Sequence, residues 1–277
     1  MQSLVQVSQE SKGSGKTNPL PELLPTLTAK GVLLEPGQMC MVVAAPNGGK
    51  SMLALWYAIH ANVPTMFFSA DTDRRTTWYR AAAIKTGIEF NDIKDMVGTS
   101  GQDIIDEAVD EITKSGIQFD FNPRITIKDM DLELQAYTEV YGMPPKLIVL
   151  DNLLNCDNDA GDFNGLVEII GDLHSLSREL DCALMVLHHV NESTSKPEYP
   201  ASRSSIRGKV AQYPEMILSL AMLPEEGMMR VALVKHRHAT PSPNASEYET
   251  IFVDPTRMTF HNTKAQLSAA RTRREWS

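Results

Sequence analysis

With 277 residues, 42% apolar and 22% charged, the chain has the make-up of an ordinary globular protein and is long enough to bury a sizeable core. No apolar run is long enough to span a bilayer, and Met1 to Lys16 is polar, which argues against a signal peptide and makes a cytoplasmic protein without membrane contact the expectation. A formal net charge of −9 argues against a protein that coats nucleic acid with its whole surface, while leaving room for a local basic patch.

Residues 1–30 read as a flexible arm, in which Ser, Gly, Lys and Pro punctuate short apolar pieces carrying Leu20, Leu23, Leu24 and Leu27. It is expected to dock on this domain or on a neighbouring copy. Inside it, Gly13-Ser14-Gly15-Lys16-Thr17 imitates the end of a phosphate-binding loop. Glu10 stands where the first glycine belongs, however, and the prolines at 19 and 21 prevent a helix from following. From Gly31 the chain alternates strands and helices. Gln38 to Ala44 reads as a buried strand and Lys50 to Ala61, apolar nearly all round, as a buried helix. Pro64 to Ser69 is the second strand and Arg74 to Thr86 the second helix. Helical segments at Asp103 to Lys114 and Asp129 to Tyr141 flank a weak strand at Arg124 to Ile127. Lys146 to Leu150 is a further strand. Phe163, Leu166, Val167, Ile170, Leu173 and Leu180 recur at helical spacing, and Cys182 to Leu187 is again strand-like. Four strands then follow in quick succession: Met216–Leu220, Met229–Val234, Tyr248–Val253 and Met258–Phe260. The alternation implies one α/β domain over 31–262, with a mainly parallel sheet covered on both faces and an antiparallel extension at its end. Residues 263–277, with Arg271, Arg273 and Arg274, read as a basic, solvated tail. Cys40, Cys156 and Cys182 lack metal-ligand spacing and read as buried, reduced thiols.

The junction of the first strand and first helix carries the chemistry. Phosphates need several N–H donors converging on one point together with a positive charge. Ala44-Ala45-Pro46-Asn47-Gly48-Gly49-Lys50-Ser51 supplies both in the strand–turn–helix setting of a P-loop, with alanine at the first glycine position. The nucleotide contacts expected there are Ala45, Pro46, Asn47, Gly48, Gly49, Lys50, Ser51 and Met52. Leu147-Ile148-Val149-Leu150-Asp151 then ends a buried strand on an acid, so Ser51 and Asp151 are the candidate ligands of Mg²⁺, the latter through water.

With these motifs placed, Gly31 to Phe260 resembles the RecA-like P-loop ATPase domain of hexameric replicative helicases of the DnaB and RepA types. The resemblance implies several further roles. Asp71, after the second strand, stands where the family has the acid that activates water, usually a glutamate, and Asp73 is an alternative. His189, in Leu187-His188-His189, occupies the place of the γ-phosphate sensor. The loop from Asn191 to Gln212 is where such helicases grip DNA, making Arg203, Arg207, Gly208 and Lys209 the candidate DNA contacts. Phosphate contacts of this kind are indifferent to base sequence. Lys235 and Arg237 correspond to a lysine–arginine pair presented to the nucleotide of the next subunit, where the arginine's fork suits the spread charge of a transferring phosphoryl group.

The function so implied is an ATP- and Mg²⁺-dependent helicase or translocase on single-stranded DNA. It would act as a homo-oligomeric, hexameric ring alongside other replication proteins. A RecA- or RadA-like recombinase, and a non-translocating ATPase that loads or regulates a helicase, remain the alternatives.

Overall fold

The computed structural model describes residues 18–156, 163–191 and 196–272. The imitation loop Gly13–Thr17 and the tail arginines Arg273 and Arg274 lie outside the described residues. A nine-stranded sheet, ordered β3-β2-β4-β5-β1-β6-β7-β8-β9, forms the centre of the molecule. β1 (Met39–Ala44), β2 (Thr65–Ser69), β3 (Ile117–Asp120), β4 (Leu147–Asp151), β5 (Ala183–His189) and β6 (Met216–Leu223) run parallel. β7 (Met228–His236), β8 (Glu249–Asp254) and β9 (Thr259–His261) extend it antiparallel. The expected α/β architecture, mainly parallel with an antiparallel extension, is therefore observed.

Each face of the sheet carries its own core. One is built by alternate residues Cys40, Val42 and Ala44 of β1 against α2 (Lys50–Ala61), with α3 (Arg74–Thr86) and α5 (Gln102–Lys114) alongside. The other sets Met39, Met41 and Val43 against α6 (Ile127–Tyr141) and α7 (Phe163–Glu179). Burial on both sides explains why the central strands read as unbroken apolar runs rather than alternations. All three cysteines are buried and free, and burial pushes their thiols up to about 12.

Four expectations need correction. The strand placed at Arg124 to Ile127 is instead Ile117–Asp120, paired with β2. Pro123 withholds a ladder donor, and Ile125 makes only an isolated bridge to Cys156. The following helix starts at Ile127 rather than Asp129. Its capping box begins at Thr126, whose Oγ1 accepts from the Asp129 N–H (3.1 Å) while Asp129 Oδ2 accepts from the Thr126 N–H (3.0 Å). Residues 18–30 are not a loose arm. Leu20, Leu24 and Leu27 are buried, a short helix α1 forms at Pro25–Thr28, and the Leu20 N–H donates to Leu34 at 2.7 Å. Finally, Lys264–Thr272 forms a helix, α8, that packs Leu267 into the domain. A further helix that the apolar spacing does not announce is α4 (Phe90–Met96), whose Ile93 packs with Ile105 of α5 in a small separate cluster.

The α8 contact has a measurable consequence. Arg271 Nε donates to the buried Asp254 carboxylate at 2.8 Å, and Arg257 Nη1 does so at 3.2 Å. Burial alone would raise this carboxyl, but the bonds from Arg271 and Thr256 outweigh it and hold it down at about 2. A folded-state value below the unfolded ~3.9 stabilises the protein fully above that pH, and the contribution fades as pH falls towards 2. Asp254→Asn is expected to lower Tm at neutral pH and to close on wild type between pH ~4 and ~2. Thermal denaturation across that range checks it, and parallel curves for the two proteins would refute it.

Candidate active site

Phosphate-loop geometry begins with a strand that stops abruptly. After Ala44 the backbone turns with Asn47 at φ 60° and Gly49 at φ 84°, left-handed values that asparagine tolerates and glycine favours. Gly48 is required for a different reason. A Cβ there would sit 2.5 Å from Ala44 Cβ and 2.9 Å from the Ala45 oxygen. The small alanine at the first glycine position is thus matched to a glycine four residues on. Gly49 caps α2, whose first turn carries Lys50, Ser51 and Met52. Lys50 is buried, and its Nζ donates to the Ala44 and Ala45 carbonyls at 3.3 Å each, while the Gly48 N–H donates to Ala45 at 3.1 Å. Burial lowers the Lys50 pKa, partly offset by the carboxylates of Asp151 and Asp71. Pro46 and Asn47 are exposed at the rim, with Ala45 beside them half-buried.

Asp151 ends β4 within hydrogen-bonding reach of Ser51. Burial raises its carboxyl to about 6, and the neighbouring Asp71 pushes the same way. The Ser51 bond and the charges of Lys50 and Arg80 oppose the rise. Its Oδ1 is buried without a hydrogen-bond partner among the described residues. An acceptor-only oxygen so placed beside a serine hydroxyl suits Mg²⁺, which takes one or two protein oxygens and completes its shell with water and phosphate.

The segment after β2 is tied to the same strand end. The N–H groups of Ala70 and Asp71 both donate to the Asp151 carbonyl, at 2.8 and 3.1 Å. Asp71 is left exposed beside Lys50 and Asp151. Asp73 has another task, since its carboxylate caps α3 by accepting from Arg75 N, Thr76 N and Thr76 Oγ1 at 2.9, 3.0 and 2.6 Å. Arg80, which no sequence motif marks, reaches back from two turns into α3. Its Nη1 donates to Thr72 Oγ1 at 3.4 Å, its Nε is buried without a partner among the described residues, and its charge acts on Asp151. A cation running straight into Ala81-Ala82-Ala83 on a helix that buries those alanines was the available signal.

The two histidines ending β5 divide between the faces. His189 pairs in register with Ala44 and has the parity of Met185 and Leu187, which face α2. His188 is fully buried on the opposite face, where its Nε2 bonds the Arg207 carbonyl at 2.8 Å. A carbonyl can only accept, so Nε2 carries the proton. Burial drives the His188 pKa down to about 4 despite that bond, which leaves the ring neutral at pH 7. The candidate DNA loop is thereby stapled to β5. The Arg207 N–H donates to His189 at 3.3 Å, the Asn191 N–H donates to Ser205 at 2.8 Å, and Val190 bridges Ile206. Arg203 and Lys209 stand exposed, and Gly208 takes φ 68°. Nearby, Arg230 holds residues 198–199 by donating to the Glu198 carbonyl at 2.7 Å and lying 4.6 Å over the Tyr199 ring. Residues 192–195 of this loop lie outside the described residues.

Lys235 and Arg237 are not near this chain's own phosphate loop. Lys235 is paired with Ile217, which is level with Met41, and the Arg237 N–H donates to Glu215, whose own N–H donates to Met39. Arg237 therefore lies about five residues, or ~17 Å of strand, from the Ala44 end of the sheet. Lys235 Nζ donates to the Ala211 and Gln212 carbonyls at 3.0 and 2.7 Å. Burial lowers it to about 8, and the nearby Arg203 and Arg237 contribute to the fall. Thus Lys50, Ser51, Asp71, Asp151 and His189 gather at the C-terminal ends of β1, β2, β4 and β5, and Arg203, Lys235 and Arg237 form a separate cationic cluster.

A family model described as the DnaB-like helicase C terminal domain matches residues 25–239. The Gene 65 protein of Mycobacterium phage L5 is 33% identical over 241 residues, covering 84% of this chain and 89% of that protein. Its namesake in Mycobacterium phage D29 is 29% identical over 220 residues, covering 77% and 94%. Among solved structures, a DnaB-like replicative helicase, described with its interactions with primase, superposes with a TM-score of 0.78 at 17% identity, and 94% of this chain spans 66% of that one. The RadB recombinase gives 0.57 at 13% identity over 88% of this chain and the whole of its own. These likenesses establish the RecA-like fold, and the family match settles membership: the chain belongs to the DnaB-like helicase C-terminal domain family.

Proposed function

We propose that this protein is an ATP-driven translocase on single-stranded DNA, a helicase that hydrolyses ATP between subunits of a homo-oligomeric, hexameric ring. One observation supports the reading most directly. Lys50, Ser51, Asp71 and Asp151 converge at the C-terminal strand ends from which the Arg203–Lys209 loop departs, stapled to β5 through His188 and His189. Membership of the family supports the ATPase assignment, and the loop supports DNA as the object of the work.

Each residue then has a distinct task. The P-loop residues from Ala45 to Met52, through their backbone N–H groups except at Pro46, which has none, and the Lys50 ammonium hold the triphosphate. Ser51 and Asp151 would hold Mg²⁺, which when bound neutralises charge on the β- and γ-oxygens. Asp71 orients the attacking water, since Asp73 is occupied by its helix cap. His189 faces the γ-phosphate and reports its loss to the backbone at Arg207. Arg237, with Lys235, serves the neighbouring subunit's nucleotide, because the sheet holds both too far from their own. Unwinding of a forked duplex, dependent on ATP, is the deciding experiment. Strand exchange without unwinding would instead favour a recombinase, and hydrolysis indifferent to DNA would favour a loader or regulator.

The loop predicts its own signature. Arg207→Ala and Lys209→Ala are expected to weaken single-stranded DNA of any sequence about equally. Removing one phosphate interaction should flatten the slope of log K against log salt by ~0.7. Fluorescence anisotropy between low and moderate salt measures both, and an unchanged slope in the double variant would remove the loop from the DNA path. Other replication proteins are proposed partners by family likeness.

A further inference from the structure

We propose that Glu215 is the seat of Arg237: a buried carboxylate that positions the arginine in the free subunit and can release it without being left unpaired. This role rests on the reading of Arg237 as a residue acting on the neighbouring nucleotide.

Among the described residues four donors converge on this carboxylate, and they are not equivalent. Its side chain is 6% exposed. Oε2 accepts the Met39 N–H at 3.0 Å, which ties it to the first residue of β1. Oε1 receives His174 Nε2 at 2.9 Å, Arg237 Nη1 at 3.4 Å and Arg178 Nη2 at 3.7 Å. The short bonds come from groups on the rigid framework, the strand β1 and the helix α7. The Arg237 guanidinium is held by long contacts, its second being from Nη2 to the Tyr213 carbonyl at 3.4 Å, and its side chain is 44% exposed. Met39 and His174 therefore fix the carboxylate, and Arg237 is the exchangeable partner.

Exchange needs a reserve of positive charge, because a carboxylate buried without a cation is strongly disfavoured. Arg178, from α7, provides it when Arg237 leaves, while His174 keeps its bond to Oε1. Burial works against the ionised form of Glu215, yet the Met39 N–H, His174 and Arg237 together keep its pKa below the usual value. The same segment links the arginine to the DNA loop. Arg237 bonds Tyr213 and Lys235 bonds Ala211 and Gln212, the residues that follow Lys209. Movement of these cations towards a neighbour's phosphate breaks their bonds to the end of that loop. Glu215 thus stands where the arginine's resting position and the loop's anchor meet.

The test is steady-state ATP hydrolysis by the assembled, full-length protein, in homogeneous and mixed oligomers. Glu215→Gln is expected to lower kcat at least ~10-fold while KM for ATP stays within ~2-fold, because the P-loop is untouched. Doping with Lys50→Ala subunits, which cannot hydrolyse but carry an intact arginine seat, should restore turnover at the Glu215→Gln subunits' own sites. Doping with Arg237→Ala subunits should not. Glu215→Asp keeps the charge one methylene further back and should fall between wild type and Gln. This variant also carries the test if Gln fails to fold. Wild-type kcat in Glu215→Gln or Glu215→Asp, with Arg237→Ala inactive, would overturn the seat alone. So would a deficit that Lys50→Ala subunits do not repair. Full activity in Arg237→Ala would instead overturn the trans reading, and the seat with it.

Discussion

Replacing Lys50 with alanine is expected to abolish measurable ATP turnover, a loss of at least ~100-fold in kcat, without unfolding the chain. The first half follows from geometry. Lys50 is the cation at the strand–helix turn, and Asp151 and Asp71 lie close enough to act on its charge. A triphosphate entering there brings several negative charges beside those two carboxylates, and without the ammonium the sum is repulsive. The second half follows from burial. Lys50 is 6% exposed, and its Nζ donates to the Ala44 and Ala45 carbonyls. Truncation leaves two carbonyls short of a donor but also removes a charge that burial disfavours, so the net effect on Tm is small. A malachite-green phosphate assay with thermal denaturation checks both. Undiminished hydrolysis would take the site apart.

The second large effect is expected at Arg237. Arg237→Ala should reduce kcat by ~10³ or more while leaving KM for ATP nearly unchanged. The split arises because the residue sits about 17 Å along the strand direction from this chain's P-loop and so adds nothing to cis binding. Its contribution enters when charge spreads over the transferring phosphoryl oxygens of another copy, where a planar fork of donors matters more than a point charge. Arg237→Lys should therefore recover little. Mixing Arg237→Ala with Lys50→Ala subunits should regain turnover, since each supplies what the other lacks. Absence of that recovery, with both proteins assembled, would contradict a site shared between subunits.

The parts of this site that could be read from sequence are those the chain writes contiguously. Strand, glycine turn, lysine and helix lie within Met39–Ala61, so residue order alone set their geometry. Asp151 is legible because an acid closing a buried strand, common on its own as a cap or turn residue, points to a metal when a P-loop shares the sheet. Asp71 and Asp73 were not separable until the hydrogen bonds of Asp73 to Arg75 and Thr76 assigned it to the helix cap. Arg80 and Glu215 went unseen because their meaning is long-range. Nothing near Glu215 in sequence announces Met39 or His174, 176 and 41 residues away. The misplaced β3 has a local cause. Ile117-Gln118-Phe119-Asp120 is only four residues long at the sheet's edge and three of them are half-buried, so its apolar signal was weaker than that of Ile125.

The trans role proposed for Arg237, about 17 Å along the strand direction from its own P-loop, constrains how copies of this chain would meet. A two-fold dimer could meet that requirement only reciprocally, each subunit's Arg237 reaching the other's P-loop across one self-complementary patch that holds both. In the proposed ring the same pairing is made head to tail, one subunit's Arg237 meeting the next subunit's Lys50. Such a contact never satisfies both ends of a short chain of subunits. Closure into the proposed ring would fill every site, whereas an open row leaves one P-loop without an arginine at its end.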